Sequence, residues 1–191
     1  MLLVLLMSLQ GAYSYFNWGP CPNPTLQPNF NIVNYLGLWY DMAHVKDFIW
    51  EIGGECDVAQ YSTSTTPGTI VVYNSEYKNN NWSSFKGSAT CESSDPAHCS
   101  VTFFKEATPG DYRIVETDYT NYSVVFSCMG NGLGHDMWAW ILARSQSFNY
   151  TSLIPTLLSF GFPQSEFAFT VQTGCPAPPT PPGYDEVIIY E

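Results

Sequence analysis

Short segments rich in β-branched and aromatic residues recur at intervals along this chain, each bounded by clusters of Gly, Pro, Asn, Asp and Ser. That rhythm is the one an antiparallel sandwich or barrel requires. Residues 37–43, 56–62, 69–76, 83–90, 100–106, 112–118, 122–129 and 137–144 read as eight strands. The connections carry turn chemistry of their own, as in Thr66-Pro67-Gly68, Asn79-Asn80-Asn81, Thr108-Pro109-Gly110 and Gly130-Asn131-Gly132. Eight sequential strands with tight turns predict an up-and-down meander. Closing it removes the edges, and eight strands enclose just enough room for one small ligand. The expected fold class is therefore all-β, an eight-stranded antiparallel up-and-down barrel.

After the eighth strand the period changes. Leu153, Leu157, Leu158 and Phe160 fall at helical spacing, with Asn149 or Thr151 as N-cap and Gly161 as a stop. Pro155 fits only in a first turn, so one short C-terminal α-helix starting near Thr151 is expected to pack on the barrel wall. A further strand follows over 166–172, and the Pro-rich run 176–182 reads as an extended tail.

The opening Met1 to Ser8 run is apolar but too short to cross a bilayer. With Ala12 and Ser14 behind it, residues 1–14 read as a signal peptide, which divides the chain into a leader, a barrel domain over 15–175 and a tail over 176–191. A secreted, extracellular protein is expected, neither transmembrane nor reduced. Cys21, Cys56, Cys91, Cys99, Cys128 and Cys175 then pair as disulfides, in any of about 15 connectivities by arithmetic alone. Cys91 and Cys99, flanking a turn-rich stretch, form the local candidate. No C-x-x-C pair exists and His44, His98 and His135 are far apart in sequence, so no metal site is expected. Sequons at Asn81, Asn121 and Asn149 mark candidate glycosylation sites, with Asn81 in the most polar turn.

Charge and motif content exclude other functions. Six Lys+Arg against 17 Asp+Glu give a net charge of -11, with no cationic stripe for a phosphate backbone, so nucleic acid is no partner. The glycine-rich 130–134 stretch lacks the strand-to-helix context of a dinucleotide loop, and no G-x-S-x-G occurs. Facing acids such as Asp41 and Glu116 more readily hydrogen-bond a ligand than catalyse, so no catalytic residue is assigned and the protein is not expected to be an enzyme.

Three motifs stand in order along the chain: Gly37-Leu38-Trp39, Thr117-Asp118-Tyr119-Thr120-Asn121-Tyr122, and Arg144 closing the last strand. Together they resemble the lipocalin family. Their context, with Cys21-Pro22, Gly54-Glu55-Cys56 and Cys128 at the end of a strand, is similar to its apolipoprotein D-like branch, which includes bilin-binding proteins, crustacyanin subunits and Lazarillo-type proteins. The likeness covers about Cys21 to Cys175. It implies that Gly37, Trp39, Asp118, Tyr119 and Arg144 are structural, with Trp39 plugging one end of the barrel and Arg144 stacked across it. It also implies the pairs Cys21 with Cys128 and Cys56 with Cys175, leaving Cys91 with Cys99.

The same resemblance places the ligand inside the barrel, and alternation along strands then selects lining residues. From Trp39 inward, Asp41 and Ala43 follow; from Cys128 outward, Ser127 and Met129 point in. Ile70, Val72, Asn74 and Glu76 extend the set on the third strand, Ser83 and Phe85 on the fourth, Phe103 on the fifth, Ile114 and Glu116 on the sixth, and Asp136, Trp138 and Trp140 on the eighth. The ligand-binding candidates are Asn74, Glu76, Phe85, Phe103, Ile114, Ser127, Met129, Asp136, Trp138 and Trp140. His44 and His135 read as a mouth-side and a loop histidine, each more often surface groups than ligand contacts. A secreted carrier of one small hydrophobic molecule is implied, bound non-covalently. A bilin-type tetrapyrrole such as biliverdin leads, with a carotenoid, fatty acid or retinoid behind it. Lys46, Lys78 and Lys86 are the cations nearest to hand for its acidic groups. Rival readings are a filled structural or assembly barrel and an isomerase-type enzyme; further partners, beyond the ligand, are copies of the same chain in a homo-oligomer.

Overall fold

The computed structural model describes residues 15–46, 54–105, 107–130 and 132–182. The leader over 1–14, Glu106 at the end of the expected fifth strand, and the tail beyond residue 182 lie outside the described residues. Ten strands are present among the described residues: β1 (Tyr15–Trp18), β2 (Gly37–Val45), β3 (Glu55–Thr63), β4 (Thr69–Lys78), β5 (Asn81–Cys91), β6 (His98–Thr102), β7 (Gly110–Thr117), β8 (Tyr122–Gly130), β9 (Gly134–Ala143) and β10 (Phe167–Phe169). Strands β2 to β9 pair antiparallel in sequence order, and β9 returns to pair with β2, closing an eight-stranded barrel. Closure runs through Tyr40 opposite Ala143 to His44 opposite Trp140. The first half of β9 pairs instead with β1, which covers its edge beyond the seam, and the far end of β2 pairs with β10 on the side where β3 has ended.

Alternation in the barrel wall sorts the apolar residues into two cores. Val124, Phe126 and Cys128 on β8 and Met137, Ala139, Ile141 and Ala143 on β9 face outward. They pack under α2 (Ile154–Ser159), whose Leu157 joins Leu153, Phe160, Phe162 and Phe167 over them. A 3-10 turn at Thr151–Leu153 leads into this helix, with Pro155 in the first turn, where a missing N–H leaves no bond unmade. The inner core gathers Trp39, Tyr35, Tyr61, Ile70, Ile114 and Val125 at one end of the barrel. Here α1 (Ile32–Tyr35), capped by the Asn31 side chain on Val33 N and Asn34 N, seals the base.

Trp39 is fully buried, with its indole N–H donating to Tyr35 O at 2.8 Å. The Arg144 guanidinium lies 3.6 Å from the centre of its ring. Arg144 Nε donates to Tyr119 O, Nη1 to Leu38 O, and Nη2 to Asn34 O, Tyr35 O and Leu36 O. One side chain thus satisfies the carbonyls where α1 ends and β2 begins. Gly37 sits at φ +100°, and a Cβ there would stand 3.3 Å from Arg144 Nη1. Asp118 caps the neighbouring turn, accepting from the backbone N–H groups of Thr120, Asn121 and Tyr122. Tyr119, at φ +67°, turns its carbonyl to Arg144 and accepts from Asn31 N at its hydroxyl.

The three disulfides are Cys21–Cys128, Cys56–Cys175 and Cys91–Cys99. The first two close loops of 107 and 119 residues, long enough to remove about 4 to 5 kcal/mol of unfolded-chain entropy each on the loop-closure account.

The strands depart from a regular meander in three ways. β2, β3 and β7 each carry one extra residue relative to a partner, between Asp41 and Ala43, Glu55 and Val58, and Ile114 and Glu116. β6 stops at Thr102 instead of running to 106: the chain bends at Phe103, and Phe104 returns only to an isolated bridge. The C-terminal strand is only Phe167–Phe169, and β1 has no counterpart among the strands expected from sequence.

Arg144→Lys keeps the charge but loses the planar fork that spans these carbonyls. It should lower stability by about 3 kcal/mol, read as an earlier urea midpoint with an unchanged slope.

Candidate ligand-binding site

The barrel holds a cavity of about 330 Å³, at the small end of the range for ligand sites. Its base is the inner core. Tyr61 and Tyr112 line it there, their hydroxyls 2.9 Å apart, with Tyr112 in turn 3.2 Å from Tyr35, whose hydroxyl meets Ser123 Oγ. Burial pushes Tyr35 up to about 12 and Tyr112 well above the usual tyrosine value, so this network stays neutral and donates rather than ionises. Above it the walls are apolar: Val72, Phe85, Ala89, Val101, Phe103, Phe104, Trp138, Trp140 and Leu142. Gly87 makes room for one of them, since a Cβ there would stand 2.7 Å from the Phe103 ring.

Eight of the ten sequence candidates line the cavity: Asn74, Glu76, Phe85, Phe103, Ser127, Met129, Trp138 and Trp140. Ile114 does not. It points inward but lies beneath the cavity, 1% exposed among the residues around Trp39. Asp136 does not line it either: it pairs with Met129 on β8 and, past the end of the β2 ladder, with Phe16 on β1. Of the wider inward set, Asp41 and Val72 line the cavity, Ile70 fills the inner core, and Ser83 is exposed at the β4–β5 rim opposite Glu76.

The bulges account for the other departures. Ala43 packs in the outer core, because the extra residue beside it shifts the phase of β2. For the same reason Glu116 turns away from the cavity and accepts from the Tyr122 hydroxyl on the outer side, so it does not face Asp41. His44 is buried rather than superficial, its Nδ1 2.6 Å from Asp41 Oδ2. His135 belongs to β9, not to a loop, and pairs its Nδ1 with Gly19 O.

Beside Asp41, the acids Asp57, Glu76 and Asp111 line the cavity, and of these Asp57 and Asp111 are absent from the candidates selected by alternation. Asp57 lies inside the β3 bulge between Glu55 and Val58, where Cys56 takes φ +60° and bridges to Cys175, so regular alternation does not predict its face. Beyond Tyr40 and Val58 the β2–β3 ladder ends, and the C-terminal segment fills the gap. Cys56 N donates to Val171 O, Thr170 N to Met42 O, and the buried Gln172 side-chain amide to both Asp41 O and Asp57 O, each at 2.8 Å. Asp41, Asp57 and Glu76 thereby form an acidic patch in a lining that is otherwise largely apolar and aromatic, with Asn74, Ser75, Asp111 and Ser127 among its further polar members. Burial first, and the Asp41 charge second, push Asp57 up to about 7, with Glu76 adding to the rise while His44 and Lys78 oppose it. Burial also raises Glu76, against the pull of Lys78. Lys46, Lys78 and Lys86 lie outside the lining; Lys78 is the one whose charge reaches these acids.

A closed antiparallel barrel, plugged by a Trp–Arg stack at one end and hollow at the other, defines an intrabarrel ligand-binding protein. Residues 30–172 match the family model for a lipocalin-like domain, and the chain belongs to the lipocalin family, in its apolipoprotein D-like branch. Apolipoprotein D of Mus musculus is 33% identical over 186 residues, covering 92% of this chain and 97% of that protein. The bilin-binding protein of Pieris brassicae is 22% identical over 151 residues, 76% of this chain and 78% of that one. Among solved structures, insecticyanin from the tobacco hornworm Manduca sexta superposes with a TM-score of 0.69 at 21% identity, over 83% of this chain and 89% of that one.

The raised Asp57 makes a signed prediction. Between about pH 4 and 7 the folded chain holds a proton that the unfolded chain has released, so stability falls as pH rises through that window and levels off above it. In buffer stripped of divalent cations, Asp57→Asn should remove that slope and be more stable than the parent at pH 8 by on the order of 2 to 4 kcal/mol. Equal stabilities at pH 5 and 8, read by denaturant unfolding, would contradict the burial of an ionised group.

Proposed function

We propose that this protein is a secreted, non-enzymatic carrier that holds one small hydrophobic ligand in the barrel, with a bilin-type tetrapyrrole such as biliverdin as the leading ligand. The observation that carries the reading is a hollow barrel whose walls are aromatic: Trp138, Trp140, Phe85, Phe103 and Phe104 present flat faces to a space that a scaffold barrel would have filled. A planar conjugated molecule gains stacking there beyond its buried area. The kinship with a bilin-binding protein supports the ligand class. Lining without Lys or Arg means that acidic ends of such a ligand point to the mouth, toward solvent and Lys78. Carotenoid, fatty acid and retinoid are the alternatives with the same apolar body.

All six cysteines are paired, which leaves no thiol nucleophile for isomerase chemistry. The asparagines of the three sequons, Asn81, Asn121 and Asn149, are exposed, in keeping with a glycosylated extracellular protein. Asn121 is the least available, since its side-chain amide is held by Asp118 Oδ2.

The absorption spectrum of protein purified from its source, with mass spectrometry of an organic extract, decides the ligand. Bands toward the red with a tetrapyrrole mass are expected. A colourless extract holding only lipid would sink the pigment reading. Independently, the double variant Trp138→Ala with Trp140→Ala should weaken a titrated bilin by roughly 10- to 100-fold; unchanged affinity would place the ligand elsewhere.

A further inference from the structure

We propose that Asp41, His44 and Asp57 form a binding site for one divalent transition-metal ion, set in the wall of the barrel cavity. One donor atom from each residue lies within 4.8 Å of the other two, a spacing that closes on a single ion with small side-chain adjustments. The backbone brings them together for a definite reason. Residues three apart in a regular strand face opposite ways, but the extra residue between Asp41 and Ala43 puts Asp41 and His44 on the same face. Asp57 reaches that face from β3 across the gap where the ladder has ended.

The charges show what is missing. Asp41 and Asp57 are each 3% exposed and His44 6%. Both oxygens of Asp57 and Oδ1 of Asp41 have no hydrogen-bond partner among the described residues. A buried carboxylate in that state is costly unless a cation or donor meets it. The one imidazole in the cluster, even if protonated, leaves two carboxylates with a net negative charge; a divalent ion balances them. Gln172 fixes the backbones of Asp41 and Asp57 together. His44 Nδ1 lies 2.6 Å from Asp41 Oδ2 and 3.3 Å from the Thr170 hydroxyl, contacts that an ion bound at this nitrogen would replace. Gly54 keeps the space open: a Cβ there would stand 2.9 Å from Asp57 Oδ1.

Two carboxylates and one imidazole suit Zn²⁺ or Mn²⁺. With Asp41 and Asp57 lining the cavity, the remaining coordination position opens into it. Another histidine–carboxylate group, His98 with Glu92 and Asp111, differs in kind. It is partly exposed and its Asp111 is already paired with Arg113.

The test is isothermal titration of the full chain, freed of metal by chelation, with ZnCl₂ and separately with MnCl₂. One site per chain is expected for at least one of the two ions. That site should persist in His98→Ala and weaken by roughly 100-fold in Asp57→Asn and in His44→Gln. Thermal unfolding guards against a folding artefact: the metal should raise the melting temperature of the parent but not of Asp57→Asn, which must itself melt cooperatively. Absence of stoichiometric binding by both ions overturns the site. So does binding that survives Asp57→Asn, or binding that disappears with His98→Ala.

Discussion

Arg144 does two jobs that the barrel cannot separate. It directly follows β9, the strand that must return to β2 for the sheet to close, and its guanidinium lies on Trp39 of β2 while collecting the carbonyls of Asn34, Tyr35, Leu36 and Leu38. A half-buried cation over an indole contributes about 1 kcal/mol, and its N–H groups meet four backbone carbonyls at the point where helix gives way to strand. Closure, plug and chain entry are thus one interaction. Since the base is sealed there, the opposite end is the one free to stay hollow. The cavity exists because packing is concentrated around Trp39 and not spread along the barrel.

How far the sequence could be read depends on where the strands are regular. On β4, β5, β8 and β9 the register runs unbroken, and alternation from a few anchors places Asn74, Phe85, Ser127, Trp138 and Trp140 on the lining. On β2 and β7 one inserted residue inverts every assignment beyond it, which is why Ala43 and Glu116 face outward. Nothing in the local composition marks these bulges. Asp57 falls to the same cause, since it lies in the third bulge, between Glu55 and Val58 on β3. Depth is the other limit. Ile114 has the inward phase but the wrong level, and period 2 carries no information about how high along the axis a cavity begins.

The acids on the polar side of the cavity stand on β2, β3 and β4, but the gap between β2 and β3 is held by residues outside the eight-stranded meander. Where β2 and β3 part, the backbone carbonyls of Asp41 and Asp57 lose their ladder partners, and a buried pair of that kind must be satisfied. Gln172 donates to both, held in position by Thr170 on Met42, Val171 on Cys56 and the Cys56–Cys175 bridge. The wedge therefore creates the separation that lets two acids turn inward side by side. Sequence comparison of barrel strands alone would overlook it, because the decisive amide sits beyond the last strand.

That placement bears on ligand choice. An apolar cavity with an acidic patch repels a carboxylate-bearing ligand, whether bilin or fatty acid, if the patch is ionised and bare. Protonation of Asp57 weakens the repulsion near neutral pH, and a bound divalent ion reverses it locally. The same three side chains can therefore either exclude or anchor an acidic group, according to what occupies them. In a chain with net charge -11 and no cation in the lining, the sign of this one patch decides between an acidic ligand held by its polar end and a neutral one held by its aromatic body.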